Sequence, residues 1–293
     1  MIIAHSQFEL LEKLITALDD ERNDIYVHID AKVSGFDFER FAGVAKHSRV
    51  VFTPERIDVT WGDYSQVRCE MLLLKTAIDG ENAEKPYDYY HLLSGADLPI
   101  KSNDGIHAFF DENAGKEFIH HTSDTVNERD AARIRYYHFF RHRRNFFNKL
   151  LGQLLLIPQK TAQFSRLPSN DFTVRKGSNW FSITGDFAHY IVANSDRYDF
   201  MFRNSYCGDE VFVQTVAANS EYAGRLFMPQ CNDDHFACAR LIDWERGNPY
   251  IWRTEDFDLI KSSPCMFARK FDLSVDSNIV DLILDMTGKK ANE

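Results

Sequence analysis

The strongest constraint on this chain is the rhythm of its first 52 residues. Three short apolar runs, Ile2-Ile3-Ala4-His5, Asp24-Ile25-Tyr26-Val27-His28-Ile29-Asp30 and Val50-Val51-Phe52, are spaced so that a helix fits between neighbours. Between the first two, Phe8, Leu11, Ile15 and Leu18 fall on one helical face, and Ser6 and Glu9 have the spacing of a capping box. Strand, helix, strand at this spacing predicts parallel pairing with helices on the sheet faces, because a parallel partner requires a long crossover. The chain is therefore read as α/β. Ligands of such sheets bind beyond the carboxyl ends of the strands, and His5, Asp30, Lys32 and Trp61 all fall at or after strand ends. A strand this close to residue one leaves room for native residues upstream.

Several classes of function are excluded at this point. No G-x-G-x-x-G or G-x-x-x-x-G-K-[ST] occurs, which argues against a dinucleotide or P-loop site. The formal net charge of −10 argues against general nucleic-acid binding, which needs a basic surface. The cysteines, Cys69, Cys207, Cys231, Cys238 and Cys265, are scattered with no C-x-x-C pair. That pattern predicts reduced thiols rather than a disulfide framework or zinc site. With no signal peptide and no apolar run of bilayer length, the expected location is the cytoplasm.

Further along, residues 65–79 read as an amphipathic helix with Val67, Met71, Leu74 and Ile78 aligned, and Tyr87 to Leu93 reads as a central strand. Residues 129–155 repeat aromatic or leucine doublets at helical spacing, interleaved with Arg133, Arg135, Arg141, Arg143, Arg144 and Lys149; Asp130 is the only carboxylate. Such a helix either lies on an anionic membrane surface or packs on the core with an arginine-rich outer face. Residues 158–174, with Pro158, Pro168, Ser169 and Asn170, read as a loop. In Tyr206-Cys207-Gly208-Asp209-Glu210, Gly208 frees the backbone, Asp209 is placed to cap, and Glu210 lands in the first turn of the helix that follows.

Four stretches then belong together: Lys176-Gly177-Ser178-Asn179-Trp180-Phe181, Gly208-Asp209-Glu210-Val211-Phe212, Trp252-Arg253, and Phe267-Ala268-Arg269-Lys270-Phe271-Asp272. They resemble the core-2/I-branching N-acetylglucosaminyltransferases and the peptide O-xylosyltransferases, most closely over the last stretch, and the similarity is weakest across 121–175. The resemblance implies a nucleotide-diphospho-sugar transferase fold of the GT-A type, a Rossmann-like mixed sheet flanked by helices in one domain with a C-terminal extension. Residues 1–120 would be its nucleotide-binding half, 121–175 a variable basic and aromatic insertion on the acceptor side, and 176–293 the catalytic and diphosphate-binding half. The animal members are membrane-anchored and disulfide-bonded, so this chain resembles a stripped, bacterial-type catalytic domain.

Glycosyl transfer from a nucleotide sugar needs a base for the attacking hydroxyl and a stabiliser for the departing diphosphate. By the same resemblance Glu210 is the base, while Arg253, Arg269 and Lys270 neutralise the diphosphate without a metal or other cofactor. Ala4, His5, Asp30, Lys32 and Trp61 hold the uracil and ribose, and Asp97, Asn179, Trp180 and Trp244 line the sugar pocket. The implied reaction is inverting transfer of N-acetylglucosamine or xylose from UDP to a hydroxyl of a saccharide, glycolipid or protein. The implied setting is bacterial surface polysaccharide synthesis at the inner face of the membrane; peripheral contact through 129–155 is one of the two readings of that segment's composition.

Two departures bear on this. Ser94-Gly95-Ala96-Asp97 offers one carboxylate where many glycosyltransferases place Asp-x-Asp, and Glu245-Arg246-Gly247 stands where the branching enzymes follow the equivalent of Trp244 with tyrosine. One rival reading is a metal-using transferase with Asp97 or the pair Asp256/Asp258, the latter expected in a solvated loop. The other is a non-catalytic sugar-binding module, which has no need of Glu210, Arg253 and Lys270 together.

Overall fold

A computed structural model describes the chain except residues 124, 126, 143, 144, 170, 231 and 290–293, so Arg143, Arg144, Asn170 and Cys231 lie outside the described residues. Its strands are β1 (Ile2–Ala4), β2 (Asp24–Ile29), β3 (Arg49–Phe52), β4 (Tyr89–His91), β5 (Leu93–Ser94), β6 (Asp97–Pro99), β7 (Phe118–Ile119), β8 (Phe181–Thr184), β9 (Arg240–Ile242) and β10 (Phe267–Arg269). The expected parallel sheet is present, in the order β3-β2-β1-β5, with Ile2 opposite both Val27 and Leu93.

Strand periodicity divides this sheet between two cores. Ile25, Val27 and Ile29 enter the first core with Leu10, Leu11, Leu14 and Ile15 of the helix Phe8–Leu18 and with Ile279 and Ile283 of the helix Ser277–Met286. Tyr26 points the other way, into a second core with Leu73 and Leu74 of the helix Ser65–Asp79 and with Phe181, Phe187 and Phe212. Helices thus cover both faces, and the helix Ser277–Met286 brings the C-terminal extension into the first core.

The run from Tyr87 to Leu93 is not one central strand. β4 pairs antiparallel with β8 in a second sheet, β4-β8-β7, while β5 joins the edge of the parallel sheet. A third sheet, β6-β10-β9, carries Arg269 at the end of its middle strand. Arg240 of β9 joins the second and third sheets from inside and bonds the Leu92 junction between β4 and β5. Only 1% exposed, it donates from Nη1 to Ser182 Oγ (2.7 Å) and from Nη2 to the carbonyls of Phe181 (2.8 Å) and Leu92 (3.0 Å), and it lies over the Phe267 ring. Burial lowers its proton affinity.

Four local expectations are corrected. The first helix is preceded by Gln7 in a left-handed conformation with no side-chain cap, so Ser6 and Glu9 form no capping box. The 129–155 segment is two helices, Glu128–Arg135 and Phe146–Thr161, separated by a stretch in which Phe140 takes a φ of 62°. The second helix continues through Pro158 into the region read as a loop. Asp256 is not solvated: it is 6% exposed at the start of the helix Phe257–Ser262, with its oxygens held by Arg246 (2.7 Å) and the Arg253 amide (3.0 Å). Cys69, Cys207, Cys238 and Cys265 are buried free thiols, as expected.

Candidate active site

The ends of β1 and β2 are closed by a loop that Asp30 organises. Asp30 is buried, accepting from the amides of Lys32 (2.8 Å) and Val59 (3.2 Å), and the Lys32 ammonium lies 3.2 Å from its Oδ2 and 2.8 Å from Asp58. His28 Nε2 accepts from the Ile57 amide at 2.8 Å. Burial pushes that imidazole down to about 4, so it stays neutral and keeps the lone pair this bond needs. Ala4 is buried beside Gly95, where a Cβ would stand 3.0 Å from the Ala4 methyl; His5 is exposed. Trp61 is 57% exposed, edge-on to Tyr206 with ring centroids 6.5 Å apart.

Tyr206 belongs to the turn that carries the candidate base, and that turn is bonded to the nucleotide-side loop. The Cys207 amide donates to the Gly62 carbonyl at 3.1 Å, and Gly62 (φ 75°) packs against Tyr206 and Cys207. Glu210 closes a 3-10 turn, Gly208–Glu210, one residue ahead of the helix Phe212–Ala218, rather than sitting in that helix's first turn. Asp209 does not cap the helix. It points inward, 6% exposed, and accepts from Gln66 Nε2 at 2.8 Å.

The Glu210 carboxylate is two-thirds buried and faces two cations. Its Oε2 accepts from Arg133 Nη1 at 2.8 Å and lies 3.8 Å from Lys176 Nζ. Arg133 also donates to the Cys207 carbonyl (3.3 Å) and is steadied by Asp130 (3.3 Å). Burial opposes the Arg133 charge, but the neighbouring Glu210 carboxylate outweighs it and the guanidinium's proton affinity is raised.

Behind Glu210 lies a buried acidic pair. Asp209 is pushed up to about 7, by burial first and by the Glu210 charge second. Glu70, 1% exposed on the helix Ser65–Asp79, is raised well above the carboxylate range by burial and by Asp209. Both Glu70 oxygens, Asp209 Oδ1 and Ser205 Oγ accept or donate no hydrogen bond among the described residues.

The loop 176–180 connects this turn to the remaining residues. The Gly177 amide donates to the Glu210 carbonyl at 2.8 Å, and a Cβ at Gly177 would stand 1.7 Å from the His120 carbonyl oxygen. Close backbone approach is the reason for glycine here. Trp180 is 8% exposed in the second core, and its face carries the Arg269 guanidinium at 4.1 Å. Arg269 lies 3.4 Å from Asp97, whose oxygens also accept from the Ser94 amide (2.8 Å) and hydroxyl (2.7 Å). Asp97 is thus a buried anchor for Arg269, only 1% exposed.

Phe267 and Phe271 are fully buried on either side of Arg269-Lys270. The Lys270 backbone is fixed by Tyr250 and Trp252, and its ammonium makes no hydrogen bond or ion pair among the described residues. Arg253 is exposed, its amide held by Asp256. Asn179 is half-buried on the same loop as Trp180. Trp244, half-exposed just beyond β9, sits 6.4 Å from the His235 ring, which stacks on His120 at 4.1 Å. His120 Nδ1 accepts from the Ser178 amide at 2.9 Å, linking Trp244 to the 176–180 loop. Burial keeps both imidazoles toward neutral, His235 at about 3.

Arg133, Lys176, Asp209, Glu70 and the His120–His235 stack escaped sequence reading. Lys176 and Asp209 carried a signal, by standing in recognisable stretches, but not one that showed their partners. A separate cavity of about 530 Å³, lined by Asp24, Tyr26, Arg49, Glu81 and Tyr87 among others, opens at the amino-terminal ends of the strands and includes none of these groups.

A parallel sheet with helices on both faces, and an acid-and-cation cluster linked to the carboxyl ends of its strands, define a domain of the GT-A glycosyltransferase type. The chain belongs to the Core-2/I-branching enzyme family, whose model matches residues 1–263. It is 25% identical over 303 residues to xylosyltransferase 2 of Mus musculus and 24% over 307 residues to that of Homo sapiens, each alignment covering 97% of this chain and 33% of the relative. Xylosyltransferase 1 of Homo sapiens is 23% identical over 293 residues, covering 92% and 28%. The chain therefore spans about a third of the length of these curated relatives.

Proposed function

We propose that the protein is an inverting, metal-independent glycosyltransferase that moves N-acetylglucosamine or xylose from UDP to a hydroxyl of a saccharide acceptor. The observation that carries this reading is the Glu210 carboxylate, two-thirds buried, oriented through one oxygen by Arg133 and bonded through its backbone to the loop of Trp180. Glu210 Oε1, which accepts no hydrogen bond among the described residues, takes the acceptor proton. Arg133 and Lys176 hold the side chain in one orientation while it does so. A lone base acting in one displacement gives inversion at the anomeric carbon.

Diphosphate leaving is assigned to Lys270, with Arg253 and Arg269 beside it. These cations balance the charge that develops on the leaving oxygen. Arg269 is held by Asp97 and the Trp180 face, which fixes the peptide that carries Lys270. Both Asp97 oxygens are engaged internally, and Asp256 is committed to Arg246 and the Arg253 amide, which supports the metal-independent reading. The nucleoside is assigned to His5, the Asp30–Lys32 loop and Trp61, and the acceptor to Trp244 beside the histidine stack. A role in bacterial surface polysaccharide synthesis fits a saccharide acceptor.

The test is UDP release by the purified protein, offered UDP-N-acetylglucosamine and UDP-xylose in turn with pooled saccharide acceptors. Release that depends on one donor and on acceptor supports the reading. A protein that binds saccharide yet releases no UDP with either donor is a binding module, and the proposal fails.

A further inference from the structure

The helix Phe146–Thr161 buries none of its residues. Phe146 is 84% exposed, Phe147 68%, Leu154 52% and Ile157 59%, and their spacing with Leu150 aligns them in one stripe along the helix. The opposite side of the helix, with Asn148, Leu151, Gly152, Leu156 and Gln159, is half-buried. Gln159 exchanges hydrogen bonds with the Tyr137 amide (2.8 Å) and carbonyl (3.1 Å), and Gly152 lies against the Phe139 carbonyl. The outer face has no such cover, and a contiguous apolar surface rimmed by charge marks an interaction site.

The charge pattern identifies the occupant. Residues 131–170 contain eight Lys and Arg and no Asp or Glu, in a chain whose formal net charge is −10. Lys149 and Lys160 stand exposed on the helix itself. A second copy of the chain would bring the same basic row against itself. An anionic bilayer meets both features at once, taking the apolar stripe among its acyl chains and the cations among its headgroups.

We propose that the helix Phe146–Thr161 docks this protein on an anionic lipid surface. The same segment reaches the candidate active site: Arg133 pairs with Glu210, the Arg141 guanidinium lies 4.1 Å from the Tyr206 ring, and His142 approaches Asp58 and Asp63 beside Trp61. A docked molecule therefore holds its catalytic turn close to the lipid surface.

The test is cosedimentation with phosphatidylglycerol–phosphatidylcholine vesicles and with phosphatidylcholine vesicles. Wild-type protein should bind the first strongly at low salt, bind the second weakly, and be partly released by added salt. Phe147→Ser with Leu154→Ser, both at exposed positions, should weaken binding about a hundredfold while the circular-dichroism spectrum and melting temperature stay unchanged. Lys149→Glu with Lys160→Glu should abolish the preference for phosphatidylglycerol. Three outcomes overturn the proposal: no binding to either vesicle at low salt, binding that survives the Phe147/Leu154 double substitution, or vesicle-independent dimerisation that the same double substitution removes.

Discussion

Replacing Glu210 by Gln keeps the shape of the side chain and removes its charge and basicity, so its consequences for stability and rate can be separated. The stability cost is small. The carboxylate is 34% exposed, solvent screens its pairing with Arg133, and Asp130 at 3.3 Å continues to neutralise the guanidinium. Loss of such a pair costs about 0.5–1 kcal/mol. The rate cost is large: removing a positioned general base lowers kcat by about 10²–10⁴-fold, which is about 3–5 kcal/mol in the barrier. The Gln carbonyl can still accept from Arg133, so the turn and its link to Gly177 should persist and donor affinity should hold. The assay is steady-state UDP release, with UDP binding followed by calorimetry and folding by thermal melt. An unchanged melt and UDP affinity with collapsed kcat supports the assignment. Near-wild-type turnover in folded Glu210→Gln protein would refute it, and a melt lowered far beyond the expected loss would mean that Glu210 is chiefly structural.

Transfer should survive excess EDTA, whereas Lys270→Ala or Arg253→Ala should lose both UDP affinity and kcat, and Lys270→Arg should not restore them, since a fork and a point charge need different geometry; activity abolished by EDTA and restored by manganese would sink the cation assignment. The raised acids give a signed pH effect. Because folded Asp209 holds its proton up to about 7 and folded Glu70 beyond the normal carboxylate range, the contribution of this pair to stability should decline as pH rises from about 4 through 7, against the rise contributed by buried neutral histidines such as His28 and His235. Glu70→Gln should flatten that decline in melts taken across the range, and parallel curves for the two proteins would show that Glu70 contributes nothing to it. Gly177→Ala drives a methyl into the His120 carbonyl, so it should destabilise by about 1–3 kcal/mol or more and displace the amide that holds the Glu210 backbone; an unshifted denaturation midpoint would show that the loop has room.

The elements legible in the sequence are those whose burial is written in local spacing. Ile25, Val27 and Ile29 alternate because one face of β2 meets the helix Phe8–Leu18, and the apolar face of residues 65–79 predicts the helix that covers the other side. Parallel order followed from the same spacing, since a helix-length connection returns the chain in the same direction. What the sequence could not show depends on partners distant along the chain. Nothing local in Tyr87 to Leu93 says that its two halves join different sheets; Arg240, reaching in from β9, fixes that division by bonding Leu92 and Phe181. Ser6 fits a cap by spacing, yet Gln7 takes the preceding position in a left-handed conformation. Arg133 meets Glu210 from 77 residues away, and Glu70 and Asp209 are ordinary acids until packing removes their water. Spacing along a helix or strand encodes which face is apolar, but the partner of a charge, and therefore its chemistry, is decided by the neighbours that the tertiary fold brings to it.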